Sequence, residues 1–299
     1  MGIRVNPDFY SVILSGLQTN SQQEDQALQE VSTGQKLNSL SDDPAAAATL
    51  VNLRTQSSSD TQYLQNISTL TGSLNVADSA LTSVVEALTT AQSVGVEGTD
   101  ATLNDADRQA LAQQIQGIQQ QILSLANTSY NGEYLFSGTA TTTQPYVEDS
   151  SSPSGVTYQG NSNTNSVDIS EGVSMPTNLP GGQLFSNATT GVFQSLQDLY
   201  TALNTDGSID AATKEVQKAL NYVSTQQTFY GNSVDRLNNA KTFLTQEQTQ
   251  LTETESSTAD ANMATAVTNL TQAQTTQQAL VEAGAEISQV NLFTYLPNQ

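Results

Sequence analysis

Ser32–Leu50 reads STGQKLNSLSDDPAAAATL, a polar break between two segments of helical periodicity. Its end has the chemistry of a helix start. The Asp43 carboxylate is placed to accept orphan backbone N–H groups as an N-cap. Pro44 suits the first helical position, where its missing N–H costs nothing. Asp42 adds negative charge at the positive end of the helix dipole. Asp42, Asp43 and Pro44 are therefore the candidate capping residues. They explain how the chain restarts on four alanines, but not why it stops.

The segments on either side carry that question further. From Asp60 onward, Tyr63, Ile67, Leu70, Leu74, Ala77, Leu81, Val84, Leu88 and Ala91 alternate steps of four and three. That spacing puts one apolar stripe along a helix and favours left-handed helix–helix packing. A second stripe runs Leu111, Ile115, Ile118, Ile122 and Leu125, with Asn104 or Asp105 as its cap and the turn dipeptide Asn131-Gly132 beyond its end. A third runs from Val216 through Val223, Tyr230, Leu237 and Leu244 to Leu251, and a fourth from Met263 through Ala266, Leu270, Ala273 and Leu280 to Ile287. The last two are out of phase, and the slip falls in the polar stretch Glu253–Asn262. Upstream of the opening break, Tyr10, Ile13, Leu17, Asn20, Glu24, Ala27 and Val31 form a weaker stripe with polar members. Each end of the chain thus carries a weak heptad arm joined through a polar break to a stronger heptad rod.

The middle of the chain has no helical period. Thr139–Gly182 holds β-branched and aromatic runs around Gln144–Val147, Val156–Gln159 and Ser166–Ile169, separated by turn clusters such as Ser152-Pro153-Ser154-Gly155. It predicts a small β domain inserted between helices, followed by a short helix around Val192, Leu196, Leu199 and Leu203.

Composition excludes several functions. The 299 residues include no Cys, His or Trp, so there is no disulfide and no zinc site built on Cys or His. The usual general base and thiol nucleophile are missing too, and no P-loop, Gly-x-Gly-x-x-Gly or Gly-x-Ser-x-Gly motif appears. The acidic pairs Asp42-Asp43 and Asp105/Asp107 sit at helix starts, where caps explain them. No catalytic residue, metal site or cofactor is assigned, and the reading is not an enzyme. Net charge is −21, from 29 acidic and eight basic residues. Nucleic acid requires clustered Lys and Arg, and an anionic membrane surface repels such a chain, so neither is a partner. The segment MGIRVNPDFYSVILSGLQTN does not read as a Sec signal peptide. No apolar run approaches the about 20 residues that span a bilayer. The expectation is a cytosolic protein, or one exported by a route that reads no such signal.

These residues resemble the bacterial flagellin superfamily, in which helical termini pair and the variable part lies between them. Ser32–Leu50 is similar to the superfamily's N-terminal signature, a Ser/Thr-Gly turn followed by Asp-Asp and a small-residue helix start. The similarity is greater to the hook-associated protein 3 family, which occupies the hook–filament junction, than to flagellin. Pro44 after the Asp pair is typical of that family. Asn131–Tyr146, NGEYLFSGTATTTQPY, resembles its Gly-x-Tyr-Leu-Phe-small-Gly-Thr hallmark. YQGN (Tyr158–Asn161) and ISEGVSMP (Ile169–Pro176) resemble its β domain, and SQVNLFTYL (Ser288–Leu296) its C-terminus. The tail Pro297-Asn298-Gln299 departs from that ending.

The resemblance implies a mainly α fold with a small β insertion: an elongated, heptad-patterned helical rod with paired N- and C-terminal helices and a β-rich outer domain. On that plan residues 1–42 and 258–299 form a terminal coiled-coil assembly domain, the inner core. Residues 43–138 and 190–257 form the helical rod, and 139–189 the β-rich insert. Thr33–Asp43 becomes the spoke by which the chain leaves the inner core, and Glu253–Asn262 its return. The implied protein is extracellular, exported through the flagellar route, and built into a homo-oligomeric ring. Its implied partners are an adjacent hook-associated junction protein, flagellin or the filament cap, and an export chaperone. The implied subunit contacts use Ile13, Leu17, Leu270, Leu280, Ile287, Leu292, Phe293 and Leu296. Two other readings stand beside this one. One is flagellin, the filament subunit, which shares the fold. The other, from a different class, is a secreted coiled-coil binding or adhesion protein that uses its β insert.

Overall fold

The computed structural model describes residues 7–39, 41–187, 191–205 and 207–293, with side chains described for 11–39, 41–187, 191–205 and 207–286. Among these, seven helices and six short strands follow in order: α1 (Pro7–Thr33), α2 (Pro44–Gly98), α3 (Asp105–Ala126), β1 (Ser129–Tyr130), β2 (Glu133–Tyr134), β3 (Tyr146–Glu148), β4 (Val156–Tyr158), β5 (Ser166–Ser170), β6 (Val173–Pro176), α4 (Gly181–Leu184), α5 (Val192–Thr205), α6 (Ile209–Ala259) and α7 (Met263–Phe293). The fold is mainly α with a small β insertion, as the periodicity predicts. The chain forms two compact units, one from residues up to Ser58 together with those from Glu247 onward, the other from Ser59–Gln246.

The Ser59–Gln246 unit holds the apolar core. Ile67, Leu70, Leu74, Ala77, Leu81, Val84, Leu88 and Ala91 of α2 are all buried, as are Leu111, Ile115, Ile118 and Ile122 of α3. Val216, Val223, Tyr230, Leu237 and Leu244 of α6 join them, and Val192, Phe193, Leu196, Leu199 and Leu203 of α5 close the cluster. Two apolar members of the stripes, Tyr63 and Leu125, are half-buried at the edge of this core. α3 starts with a capping box. The Asp107 N–H donates to Asn104 Oδ1 at 2.9 Å, and the Asn104 N–H to Asp107 Oδ2 at 3.3 Å.

The β insertion consists of three separate two-stranded antiparallel pairs, β1–β2, β3–β4 and β5–β6. The β1–β2 turn is Asn131-Gly132, with φ of 52° and 86°. Both residues are left-handed, the conformation that lets a two-residue loop follow the twist of its strands. The insertion is held by aromatic packing. Tyr146 lies 5.0 Å from Phe193 and 5.9 Å from Phe185, ring centre to ring centre, and Phe136 meets Phe185 edge-on at 5.4 Å. The buried Tyr146 hydroxyl donates to the Gly181 carbonyl at 2.7 Å. Strands β1, β2 and β6 and the single turn α4 have no distinct trace in the periodicity, because two to four residues cannot display a period.

The other unit contains α1, α7, the first turns of α2 and the last turns of α6. Arg54 Nε donates to Glu255 Oε1 at 2.8 Å, and Gln56 Nε2 to Glu247 Oε1 at 2.8 Å. Ala47, Leu50, Leu251 and Ala259 are among its buried apolar residues, alongside Leu37.

Candidate assembly site

The polar break is an ordered turn. The Asp43 Oδ1 atom accepts the N–H groups of Ala45 and Ala46, each at 3.0 Å, and Pro44 is the first residue of α2. Asp42 works upstream of the helix instead. Its Oδ2 accepts the N–H groups of Asn38 at 3.1 Å and Ser39 at 2.8 Å, which closes the turn before α2. Gly34 adopts φ of 72° as α1 ends, a conformation that costs a side chain about 1–2 kcal/mol. It allows Gln35 to pair antiparallel with Asp260. Two backbone hydrogen bonds flank that pair, from the Lys36 N–H to the Ala259 carbonyl at 2.7 Å and from the Ala261 N–H to the Gly34 carbonyl at 2.9 Å. The outgoing and returning segments are therefore joined to each other. Asn262 then caps α7, its Oδ1 accepting from Ala264 at 3.1 Å and Thr265 at 3.3 Å.

Beyond this junction α1 and α7 pack against each other. Gly16 lies beside Leu280, Asn20 donates to the Ala273 carbonyl at 2.8 Å, and Gln35 faces Asp260. These contacts set an antiparallel register. The seam is narrow and partly polar. Ala27, Ala266 and Ala273 are buried, and so is Asn20. Gln277 buries Oε1 without a hydrogen-bond partner. Ile13, Leu17, Leu270 and Leu280 line the same seam, each half-buried. The structure thus places these four between α1 and α7 of one chain. The side chains of Ile287, Leu292 and Phe293, and all of Leu296, lie outside the described residues.

A different apolar set is left exposed. Leu14 is 62% exposed, Leu28 53%, Val267 48% and Val281 55%. Each follows a seam residue by one position, and in an antiparallel pair such positions project to the same side. The register brings Leu14 level with Val281 and Leu28 level with Val267. The two levels are about 21 Å apart at ~1.5 Å per residue. Neither helix contains a Lys or Arg, and their charged side chains are carboxylates such as Glu24, Asp25, Glu30, Glu282 and Glu286. What the pair offers chemically is apolar contact on an acidic surface, four residues to one side and Val12, 62% exposed, to the other. Sequence reasoning selected the seam and missed these residues, because the stripe that defines a helix also hides its own members.

Among the described residues no helix is long and apolar enough to cross a membrane, and no three His, Cys, Asp or Glu are grouped to hold a metal.

The two ends of the chain are similar to known axial proteins of the flagellum. Residues 9–141 match the bacterial flagellin N-terminal helical region and residues 213–296 the bacterial flagellin C-terminal helical region. The chain is a flagellin-type structural protein. Similarity over two thirds or more of the chain narrows the class. Flagellar hook-associated protein 3 of Escherichia coli is 32% identical over 216 residues, 67% of each chain. Flagellar hook-associated protein 3 of Salmonella typhimurium is 28% identical over 256 residues, 77% of this chain and 79% of the other. The chain belongs to the flagellar hook-associated protein 3 family, the junction branch of the flagellin superfamily, and is a structural protein of the bacterial flagellum. A solved flagellar junction protein from Legionella pneumophila shares the fold, with a TM-score of 0.61 over 71% of this chain and 100% of that one at 14% identity. The flagellin reading has less support, since the two flagellin helical regions match only the ends that the superfamily has in common.

Proposed function

We propose that the chain is a ring-forming subunit between hook and filament and that its α1/α7 pair is the assembly element. The observation that carries this is the exposed set Leu14, Leu28, Val267 and Val281, drawn from both ends of the chain and gathered on one side of the pair. Burying a large aliphatic side chain stabilises by about 1.5–3 kcal/mol, so four exposed in register favour a neighbour strongly. On this reading the ring contacts a second hook-associated junction protein on one side and flagellin or the filament cap on the other. An export chaperone covers the same side chains beforehand, and the protein reaches the cell exterior by the flagellar route. The experiment is paired. A tag on the β insertion locates the protein along the hook–filament axis of intact flagella. The double variant Leu14→Ser/Val281→Ser is expected to be made and secreted but not incorporated. A signal along the whole filament would support a filament subunit instead, and normal incorporation of the variant would remove the α1/α7 pair from the interface.

A further inference from the structure

A second surface stands out on α6. Tyr222, Phe229, Arg236 and Phe243 follow one another at seven-residue spacing, each one position before a buried core residue: Val223, Tyr230, Leu237 and Leu244. They form a row along the flank of the core stripe. Its first two members are occupied within the chain. The Tyr222 hydroxyl donates to the Gln183 carbonyl at 3.1 Å and accepts from Asn187 Nδ2 at 3.2 Å. Phe229 meets Tyr230 edge-on at 5.4 Å. The last two are open: Arg236 is exposed, and Phe243 is 60% exposed.

Four of the seven described cations are held in ion pairs. Lys214 and Lys218 on the same helix pair with Asp210 and Glu215, and Arg54 and Arg108 pair with Glu255 and Asp105. Among the described residues Arg236 has no carboxylate partner, and neither does the exposed Lys241 within the next two turns; the third unpaired cation, Lys36, lies in the turn after α1. Arg and aromatic side chains are the types enriched at protein interfaces, and Arg236 and Phe243 stand two helical turns apart in the same row. The chain around it has 29 acidic residues against eight basic ones. We propose that the Arg236/Phe243 face of α6 docks against an acidic side of a second copy of this chain, as a subunit contact separate from the α1/α7 pair. The charge complementarity argues for that occupant: a free cation and a ring suit an anionic surface, and every copy of a chain of charge −21 presents one. This contact rests on the reading of the chain as a self-assembling subunit.

The test uses the full chain and sedimentation at fixed salt. Phe243→Ser and Arg236→Gln are each expected to weaken self-association by about thirtyfold, the loss typical of a hot-spot side chain. Both positions are exposed, so the melting temperature is expected to stay at the wild-type value. Lys218→Gln makes the same charge change on the same helix and is expected to leave association unchanged. The proposal is overturned if Phe243→Ser associates like wild type, or if Lys218→Gln weakens association as much as Arg236→Gln. Unchanged self-association with lost incorporation into flagella would also overturn it, by assigning the face to a different flagellar protein. Leu14→Ser/Val281→Ser is measured in parallel. If it alone abolishes association, the α1/α7 reading stands and the α6 contact fails. If neither variant weakens association, or wild type remains monomeric at ~1 mM, both fail.

Discussion

Asn20 donates its side-chain amide to the backbone carbonyl of Ala273 at 2.8 Å, inside a seam where Asn20 is only 5% exposed. A buried, hydrogen-bonded polar residue in a narrow helix seam favours one alignment over others at some cost in stability. Asn20→Ala is expected to weaken the α1/α7 pair by about 1 kcal/mol, the net worth of one hydrogen bond. Asn20→Asp replaces the donor with an acceptor and buries a charge facing a carbonyl, so its loss is larger. Amide hydrogen exchange in α1 and α7 reads both. Equal protection in wild type and Asn20→Asp would show that this bond contributes nothing to pairing.

The two aspartates before α2 separate into distinct roles. Asp43→Ala removes the acceptor of two backbone N–H groups and is expected to cost about 1 kcal/mol, while Asp43→Ser retains most of the cap. Asp42→Ala acts on the preceding turn, whose N–H groups turn to water, and costs less. Exchange rates at Ala45 and Ala46 are expected to rise in Asp43→Ala and to stay unchanged in Asp42→Ala. The reverse order would exchange the two roles.

Alkaline pH is expected to destabilise the Ser59–Gln246 unit. Burial pushes the phenols of Tyr146 and Tyr230 above their ordinary value of 10.0. The unfolded chain releases those protons near that value, while the folded unit retains them. Above it the unfolded state binds fewer protons, so stability falls as pH rises and is fully present below it. Without His, no side chain of ordinary pKa titrates between about pH 5 and 8. The melting temperature is therefore expected to be flat near neutrality and to fall above pH ~10. Tyr230→Phe removes one titrating group and is expected to reduce the alkaline slope; an unchanged slope would exclude Tyr230 as a source.

Added salt is expected to strengthen self-association. Copies of net charge −21 repel one another, and at about 0.15 M ionic strength that repulsion is screened beyond roughly 8 Å. Sedimentation at low and moderate salt checks the sign. Association that declines steadily with salt would show that ion pairs across the interface outweigh the net repulsion.

Periodicity alone made the core of the Ser59–Gln246 unit legible. Every apolar residue of the α2 stripe from Ile67 to Ala91 is buried, because spacing of three and four leaves a helix one apolar side, and water drives that side inward. The turn at Asn131-Gly132 was legible too, since Asn and Gly best tolerate its left-handed backbone. Other features emerged only in three dimensions. A stripe names the buried side of a helix without naming its partner. That the α1 stripe of Ile13 and Leu17 faces the α7 stripe of Leu270 and Leu280 in the same chain follows from the junction of Gln35 with Asp260, whose backbone hydrogen bonds leave no mark in side-chain pattern. α2 runs unbroken through the polar stretch Thr55–Asp60, where no apolar period announces a helix. The alignment of Leu14 with Val281 and of Leu28 with Val267 exists only in the folded pair, because it joins residues from opposite ends of the chain through a register that neither end contains by itself.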